Sequence, residues 1–293
     1  MHYRALLFIV VCLFASSVGS QELSSLLEFA RPAVAYSPRS YSPAPGTIPT
    51  SREQITEDLK LLHSTGFRSL VTYTAAGEMG KAPEVARKVG FDGFIVMGIW
   101  DPLSQEEWAI ALNQAPFVDS YCVGNEGLDL RYSKDTLTQR MAELRKITGR
   151  PVTTSEPIDA YFSGPNRDWL LLHSDWIFPT AHPYWASQID PKEAVNWIVA
   201  RHDYLAATTG KIVLIKEAGL PSTGASGNGD DHQIEFFDVF ESIGVFFFYF
   251  EAFDQAWKAS FEGKSGIEAY WGLFDNNGFF KKVVMWFAER WSN

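Results

Sequence analysis

A (β/α)8 barrel is the fold this sequence predicts, and three observations predict it. Eight short β-rich runs alternate with helical stretches along the chain. The runs are apolar almost throughout, as strands of a parallel sheet covered on both faces are. Behind an export-like start lie about 270 residues, the size of eight βα units in a single domain.

In chain order, AVAYS at 33 to 37 leads through a proline-rich turn to a helix expected over 51 to 65, with Ser51 as the oxygen that caps its free amides. SLVTYT at 69 to 74 precedes a helix over 81 to 89, and GFIVMGI at 93 to 99 precedes one over 104 to 114. VDSYCVG at 118 to 124 is followed by 134 to 148, with Ser133 ahead of the first turn. PVTTS at 151 to 155 pairs with a short helix over 167 to 173, and WIFPTA at 176 to 181 with a long one over 191 to 209. IVLIKE at 212 to 217 precedes 230 to 242, and GVFFFYFE at 244 to 251 precedes a terminal helix over 281 to 291. An open doubly wound sheet is the competing architecture. It would carry a glycine-rich phosphate turn after its first strand, where this chain reads SPRSYSPAPG. Thr223 to Gly229 reads as a loop rather than a linker, so residues 21–293 are expected to form one catalytic domain.

Residues 1–20 read as a signal peptide. His2 and Arg4 form a polar start, Ala5 to Ala15 an apolar run, and Ser16 to Ser20 a small-residue segment cut before Gln21. The apolar run falls short of the roughly 20 residues of a spanning helix, which places the mature chain in the secreted or periplasmic class, off the membrane. Cys12 leaves with the leader, so Cys122 remains without an internal disulfide partner and reads as a small buried side chain. The formal charge is −10, which disfavours nucleic acid and anionic membranes as partners. There is no HExxH or CxxC, and six scattered His give no metal-ligand spacing. Gly263-Lys264-Ser265 imitates the end of a P-loop, but Lys258 stands where its first glycine belongs. Neither metal nor cofactor is expected, and the oligomeric state is left unassigned.

In a barrel, reactive groups stand at the carboxyl ends of strands. The fourth run ends at Asn125-Glu126 and the seventh at Glu217. Two carboxyls across a cleft are what acetal hydrolysis requires: one protonates the leaving oxygen, the other attacks carbon or activates water. The Asn125 amide has the chemistry to donate to a sugar 2-hydroxyl while holding the adjacent acid. Trp100, Trp185, Trp257 and Trp271 fall near the same ends, as flat surfaces for pyranose rings.

These segments resemble a family. VGNE at 123 to 126, KEAGLPS at 216 to 222, FEAFDQAWK at 250 to 258 and EAYWGLF at 268 to 274 look like the signature segments of glycoside hydrolase family 17, the β-1,3-glucanase group, in the family's order. YSP at 36 to 38, VTYT at 71 to 74, TTSEP at 153 to 157 and HPYW at 182 to 185 extend the likeness over nearly the whole mature chain. The resemblance implies a (β/α)8 fold, retaining hydrolysis or transfer on β-1,3-glucan poly- or oligosaccharide, and no cofactor. By position it implies Glu126 as acid/base and Glu217 as nucleophile. Lys258 and Glu268 would hold the nucleophile ionised, and partial burial would keep Glu126 protonated. Tyr36, Tyr73, Tyr184, Glu251 and Trp271 would line the sugar site with Asn125. Ala218, Leu220 and Gln255 depart from the family's threonine, tryptophan and acidic residue. The short span from Glu217 to Lys258 lacks the added subdomain of plant members, as in microbial members, some of which transfer glucan chains. A glucan-binding protein without catalysis is the third reading.

Overall fold

The computed structural model describes Leu27 and residues 30–223, 229–261 and 266–291. The leader, most of the loop at 223 to 229 and the P-loop-like 263 to 265 lie outside the described residues. The eight expected strands form: β1 Ala33–Ala35, β2 Ser69–Val71, β3 Ile95–Ile99, β4 Ser120–Asn125, β5 Val152–Ser155, β6 Thr180–Ala181, β7 Ile215–Ala218 and β8 Phe247–Tyr249. They make one parallel sheet in the order β5-β4-β3-β2-β1-β8-β7-β6. A parallel bridge between Pro157 and Thr180 joins the two ends into a barrel, with the Thr180 amide donating to the Glu156 carbonyl at 3.1 Å. β6 is shorter than expected because Pro179 carries no amide to continue the ladder begun at the Ile177–Val213 bridge.

Strand periodicity divides the core in two. Ala33, Ala35, Val96, Cys122, Phe178 and Phe248 belong to the cluster inside the barrel, closed below by Phe94 and Trp176. Val34, Leu70, Ile95, Tyr121, Phe247 and Tyr249 belong to the larger cluster between sheet and helices. Large rings on β8 and before β6 fill the interior, where Phe178 meets Phe248 edge-on at 5.7 Å and the alanines of β1 leave them room. Gly98 lets β2 and β3 approach, since a Cβ there would lie 2.3 Å from the Thr72 carbonyl oxygen.

The helices follow the expected spans: α1 Arg52–Ser64, α2 Ala82–Val89, α3 Gln105–Asn113, α4 Lys134–Thr148, α5 Arg167–His173, α6 Pro191–Thr209, α7 Asp230–Ile243 and, after an unexpected α8 Ala256–Phe261, α9 Lys282–Trp291. Ser51 and Gln54 form a reciprocal capping box at α1, and the Ser133 side chain accepts from the Thr136 amide at α4. Cys122 is buried, as expected.

Candidate active site

At the carboxyl ends of the strands lies a cleft of about 950 Å³, open on one side and lined from both halves of the barrel. Glu126, after β4, and Glu217, in β7, face each other in it. One oxygen of each and one nitrogen of His182 lie within 4.8 Å of one another. The grouping consists of the two carboxyls and the one histidine that contacts Glu217. The His182 Nε2 is already in hydrogen-bond contact with Glu217 Oε2 at 3.1 Å, where it orients the carboxylate.

The β4 end is shaped to present Glu126. The ladder shifts register between Cys122 and Asn125, Gly124 has φ of +78°, and Glu126 itself sits at +49° in the left-handed region. A side chain at Gly124 would also run into Tyr132, 2.5 Å from its hydroxyl. Such a backbone persists only where its surroundings fix it. Here the Glu126 amide donates to the Ser155 carbonyl at 2.8 Å, while the next two amides, Gly127 and Leu128, both donate to Glu156 Oε1 at 3.0 Å. The Thr180 hydroxyl donates to Glu126 Oε1. Glu126 is exposed, which corrects the expectation that partial burial surrounds it.

Glu217 is buried, and burial alone would raise its carboxyl. Lys216 Nζ at 3.1 Å of Oε1 and His182 override that and bring it down to about 2. The cation in contact with this carboxylate is therefore Lys216, not Lys258 as expected. Lys258 pairs instead with Glu251 at 2.7 Å; burial lowers its own value, and the charge of Glu251, followed by those of Glu217 and Glu268, outweighs burial and raises it. Burial pushes Glu251 up to about 7 against that partner.

Of the other expected residues, Asn125, Tyr36, Tyr73, Glu251, Lys258, Glu268 and Trp271 line the cleft, as do all four tryptophans singled out. Tyr184 does not. It lies in a 3-10 turn, Pro183–Ala186, that packs Tyr184 into the core and turns Trp185, half exposed, to the cleft. Tyr36 is buried with its hydroxyl donating to Asp58 at 3.1 Å, so it shapes the wall and its hydroxyl is already engaged. Trp100 carries the Arg131 guanidinium over its ring at 3.9 Å and remains open to the cleft. Gln255 donates to the Ser37 carbonyl at 3.3 Å and accepts from Trp257 Nε1 at 2.8 Å. An ionised carboxylate accepts but does not donate, so it could not make both contacts.

Sequence reasoning missed His182, Lys216, Thr180 and Glu156 as site residues. His182 and Thr180 flank the end of a run that supplied no acid. Lys216 neighbours an acid that drew the attention. Among the described residues, three buried polar atoms of the cleft lining, Tyr73 Oη, His182 Nδ1 and Trp271 Nε1, have no protein hydrogen-bond partner within 3.5 Å.

The buried acids set a pH dependence of stability. Burial raises both Glu156 and Glu251 to about 7, above the usual value of about 4.3 in an unfolded chain. Between those values the native state binds more protons, so stability falls as pH rises. Glu217 works in the opposite direction, but only below the usual carboxylate range. The midpoint of thermal unfolding is expected to be highest near pH 4 to 5 and to drop toward pH 8; a midpoint that climbs over that window would contradict the assignment.

The family model of the BtgE/BtgC glycoside hydrolase domain matches residues 33–272. The protein named "Probable beta-glucosidase btgE" from Aspergillus fumigatus is 26% identical over 247 residues, covering 76% of this chain and 42% of that protein. The chain thus spans less than half the length of this curated relative. The glycoside hydrolase family 17 β-1,3-glucanosyltransferase of Rhizomucor miehei superposes with a TM-score of 0.67 at 18% identity, over 85% of this chain and 95% of that one. An endo-laminarinase from Formosa superposes at 0.69 and 19% identity, over 88% and 86%. At these identities the structural likeness is one of fold, a (β/α)8 barrel.

Proposed function

We propose, from the premise that this chain belongs to the BtgE/BtgC glycoside hydrolase domain family, that it cleaves β-1,3-glucan with retention of anomeric configuration. The observation that carries the proposal is the approach of the Glu126 and Glu217 oxygens to within 4.8 Å. Retaining enzymes hold their carboxyls about 5 to 5.5 Å apart, and inverting enzymes leave about 6.5 to 9.5 Å for a water. β-1,3-Glucan is favoured by the signature segments and by the two fold neighbours, a β-1,3-glucanosyltransferase and an endo-laminarinase.

Glu217, kept ionised by Lys216 and His182, attacks the anomeric carbon as the glycosidic C–O bond breaks and Glu126 gives its proton to the leaving oxygen. Glu126, now a carboxylate, takes a proton from water. That water attacks the same carbon, and the bond to Glu217 breaks. Asn125 donates to the sugar 2-hydroxyl, and Trp100 and Trp185 offer faces to the chain on either side. A sugar hydroxyl in place of water gives transglycosylation, a second reading favoured by the likeness to the Rhizomucor miehei transferase.

Chromatography of products from laminari-oligosaccharides of defined length tests the proposal. Shorter chains with β-configured new ends are expected for hydrolysis, and chains longer than the substrate for transfer. Binding with neither shorter nor longer products would leave only a glucan-binding protein. We also read residues 1–20 as an export leader ahead of a catalytic domain over 21–293, which makes the protein secreted or periplasmic. Among the described residues no helix is long and apolar enough to cross a membrane.

A further inference from the structure

We propose that Lys216 is a positioning residue that ties the two catalytic strands together, fixing the Asn125 amide with its nitrogen toward the sugar 2-hydroxyl while orienting Glu217 for attack. The inference rests on the reading of the cleft as a β-glucan site and assigns a residue that touches no substrate.

Lys216 is 1% exposed, beside Asn125 and Glu217, which line the cleft. Alternation along β7 would send Lys216 and Glu217 to opposite faces. The ladder instead shifts register between Ile215 and Ala218. Ile215 and Ala218 both join the outer cluster, three positions apart rather than two or four. The two residues between them are thereby turned toward the barrel mouth together, as a bulge allows. A bulge and a buried lysine are both costly, and an ammonium withdrawn from water persists only where its donors are met.

They are met by catalytic parts. Nζ donates to Asn125 Oδ1 and, at 3.1 Å, to Glu217 Oε1, and it stands 4.4 Å from the centroid of the Tyr73 ring. An ammonium has donors only, so the atom of Asn125 that faces it must be the oxygen. The amide orientation is thus set by chemistry, and Nδ2, which makes no hydrogen bond among the described residues, is left for the ligand. Lysine at this place converts a side chain of two possible orientations into one that donates to a 2-hydroxyl. By the same contact it places a fixed positive charge beside the carboxylate that must leave in the second step.

Glu217 is faced by Lys216 from β7, His182 from the loop after β6, Tyr73 from the β2 end, Glu126 from the β4 end, Glu251 from the β8 end and Lys258 from α8. Tyr73 Oη makes no hydrogen bond within 3.5 Å, although the negative charge of Glu217, after burial, raises its hydroxyl. Lys216 exerts the largest pull toward the ionised form.

The test compares Lys216→Met, an unbranched apolar side chain, and Lys216→Gln, which keeps a donor to Asn125 without the charge. Folding is monitored by circular dichroism. In Lys216→Met, kcat/KM on laminari-oligosaccharides is expected to fall by about 10²- to 10³-fold, mostly in kcat. The penalty for a 2-deoxyglucosyl substrate should shrink, and the acid limb of the pH profile should move from about 2 toward the ordinary carboxylate range. Lys216→Gln should keep the 2-deoxy penalty and show the moved limb. A folded Lys216→Met with wild-type kcat, 2-deoxy penalty and acid limb overturns the inference, as does a loss confined to KM. If neither variant folds, a crystal structure of the wild type with a bound laminari-oligosaccharide decides, and a Lys216 ammonium out of reach of Asn125 or of Glu217 overturns it. A wild type inert on every glucan defeats the functional reading itself, whereas an active wild type with indifferent Lys216 variants defeats this inference alone.

Discussion

Glu217→Gln is expected to lose turnover of laminari-oligosaccharides by on the order of 10⁴-fold or more while keeping its fold, because the bond-forming oxygen is gone and no other group lines up with the anomeric carbon. The amide is the informative replacement. It keeps the volume of the carboxylate, with an oxygen for Lys216 and an NH2 facing His182, which contact the two carboxylate oxygens at 3.1 Å each. Glu217→Gly strips both partners of their acceptor and leaves a buried ammonium short of its counter-charge, at a cost of about 3 to 5 kcal/mol. The glycine variant, studied at reduced temperature, adds a second outcome. Azide fits the space left by the carboxylate and attacks from the same face, so the product is an α-glucosyl azide. Recovery of a β-glucosyl azide, or wild-type rates in Glu217→Gln, would remove Glu217 from the role of nucleophile.

Burial is what makes this pair legible in the sequence. A strand covered on both faces must be apolar, so an acid that ends such a run stands out, as Glu126 and Glu217 do. The same rule brought out all eight strands, and capping residues such as Ser51 and Ser133 fixed the helix starts. Its limits were equally physical. Lys216 and Glu217 are neighbours, and period-two reasoning puts only one of them in the site; the register shift that brings in both leaves no mark in the spacing. Tyr184 was placed in the cleft by its position after β6, but a 3-10 turn advances about 120° per residue and so chose Trp185. Tyr36 lines the wall as expected, yet Asp58, on α1, claims its hydroxyl. The pairing of Lys258 with Glu251 rather than Glu217 depends on how α8 folds back, a helix that the sequence pattern did not separate from the segment around it.

Glu126 differs from Glu217 in every respect that governs its replacement. It is exposed, its side-chain contact is with the Thr180 hydroxyl, and its backbone is held by Ser155 and by Glu156 through the following amides. Glu126→Gln therefore leaves the loop intact, and its effect is one of proton transfer. On laminari-oligosaccharides, whose leaving hydroxyl needs a proton, kcat/KM is expected to fall by about 10²- to 10⁴-fold. With a dinitrophenyl β-glucoside, whose leaving group departs unaided, the first step is expected to stay near the wild-type rate. The second step lacks its base, so the covalent intermediate on Glu217 accumulates and a burst of dinitrophenol precedes slow turnover. Azide, which needs no base, should then intercept the intermediate from the opposite face and release a β-glucosyl azide. The two carboxyls are thus separated by the configuration of one product, α from the nucleophile variant and β from this one. If Glu126→Gln slows both substrates equally, with no burst and no azide product, protonation comes from elsewhere in the cleft. Glu251, raised to about 7 by burial, is then the next group to replace.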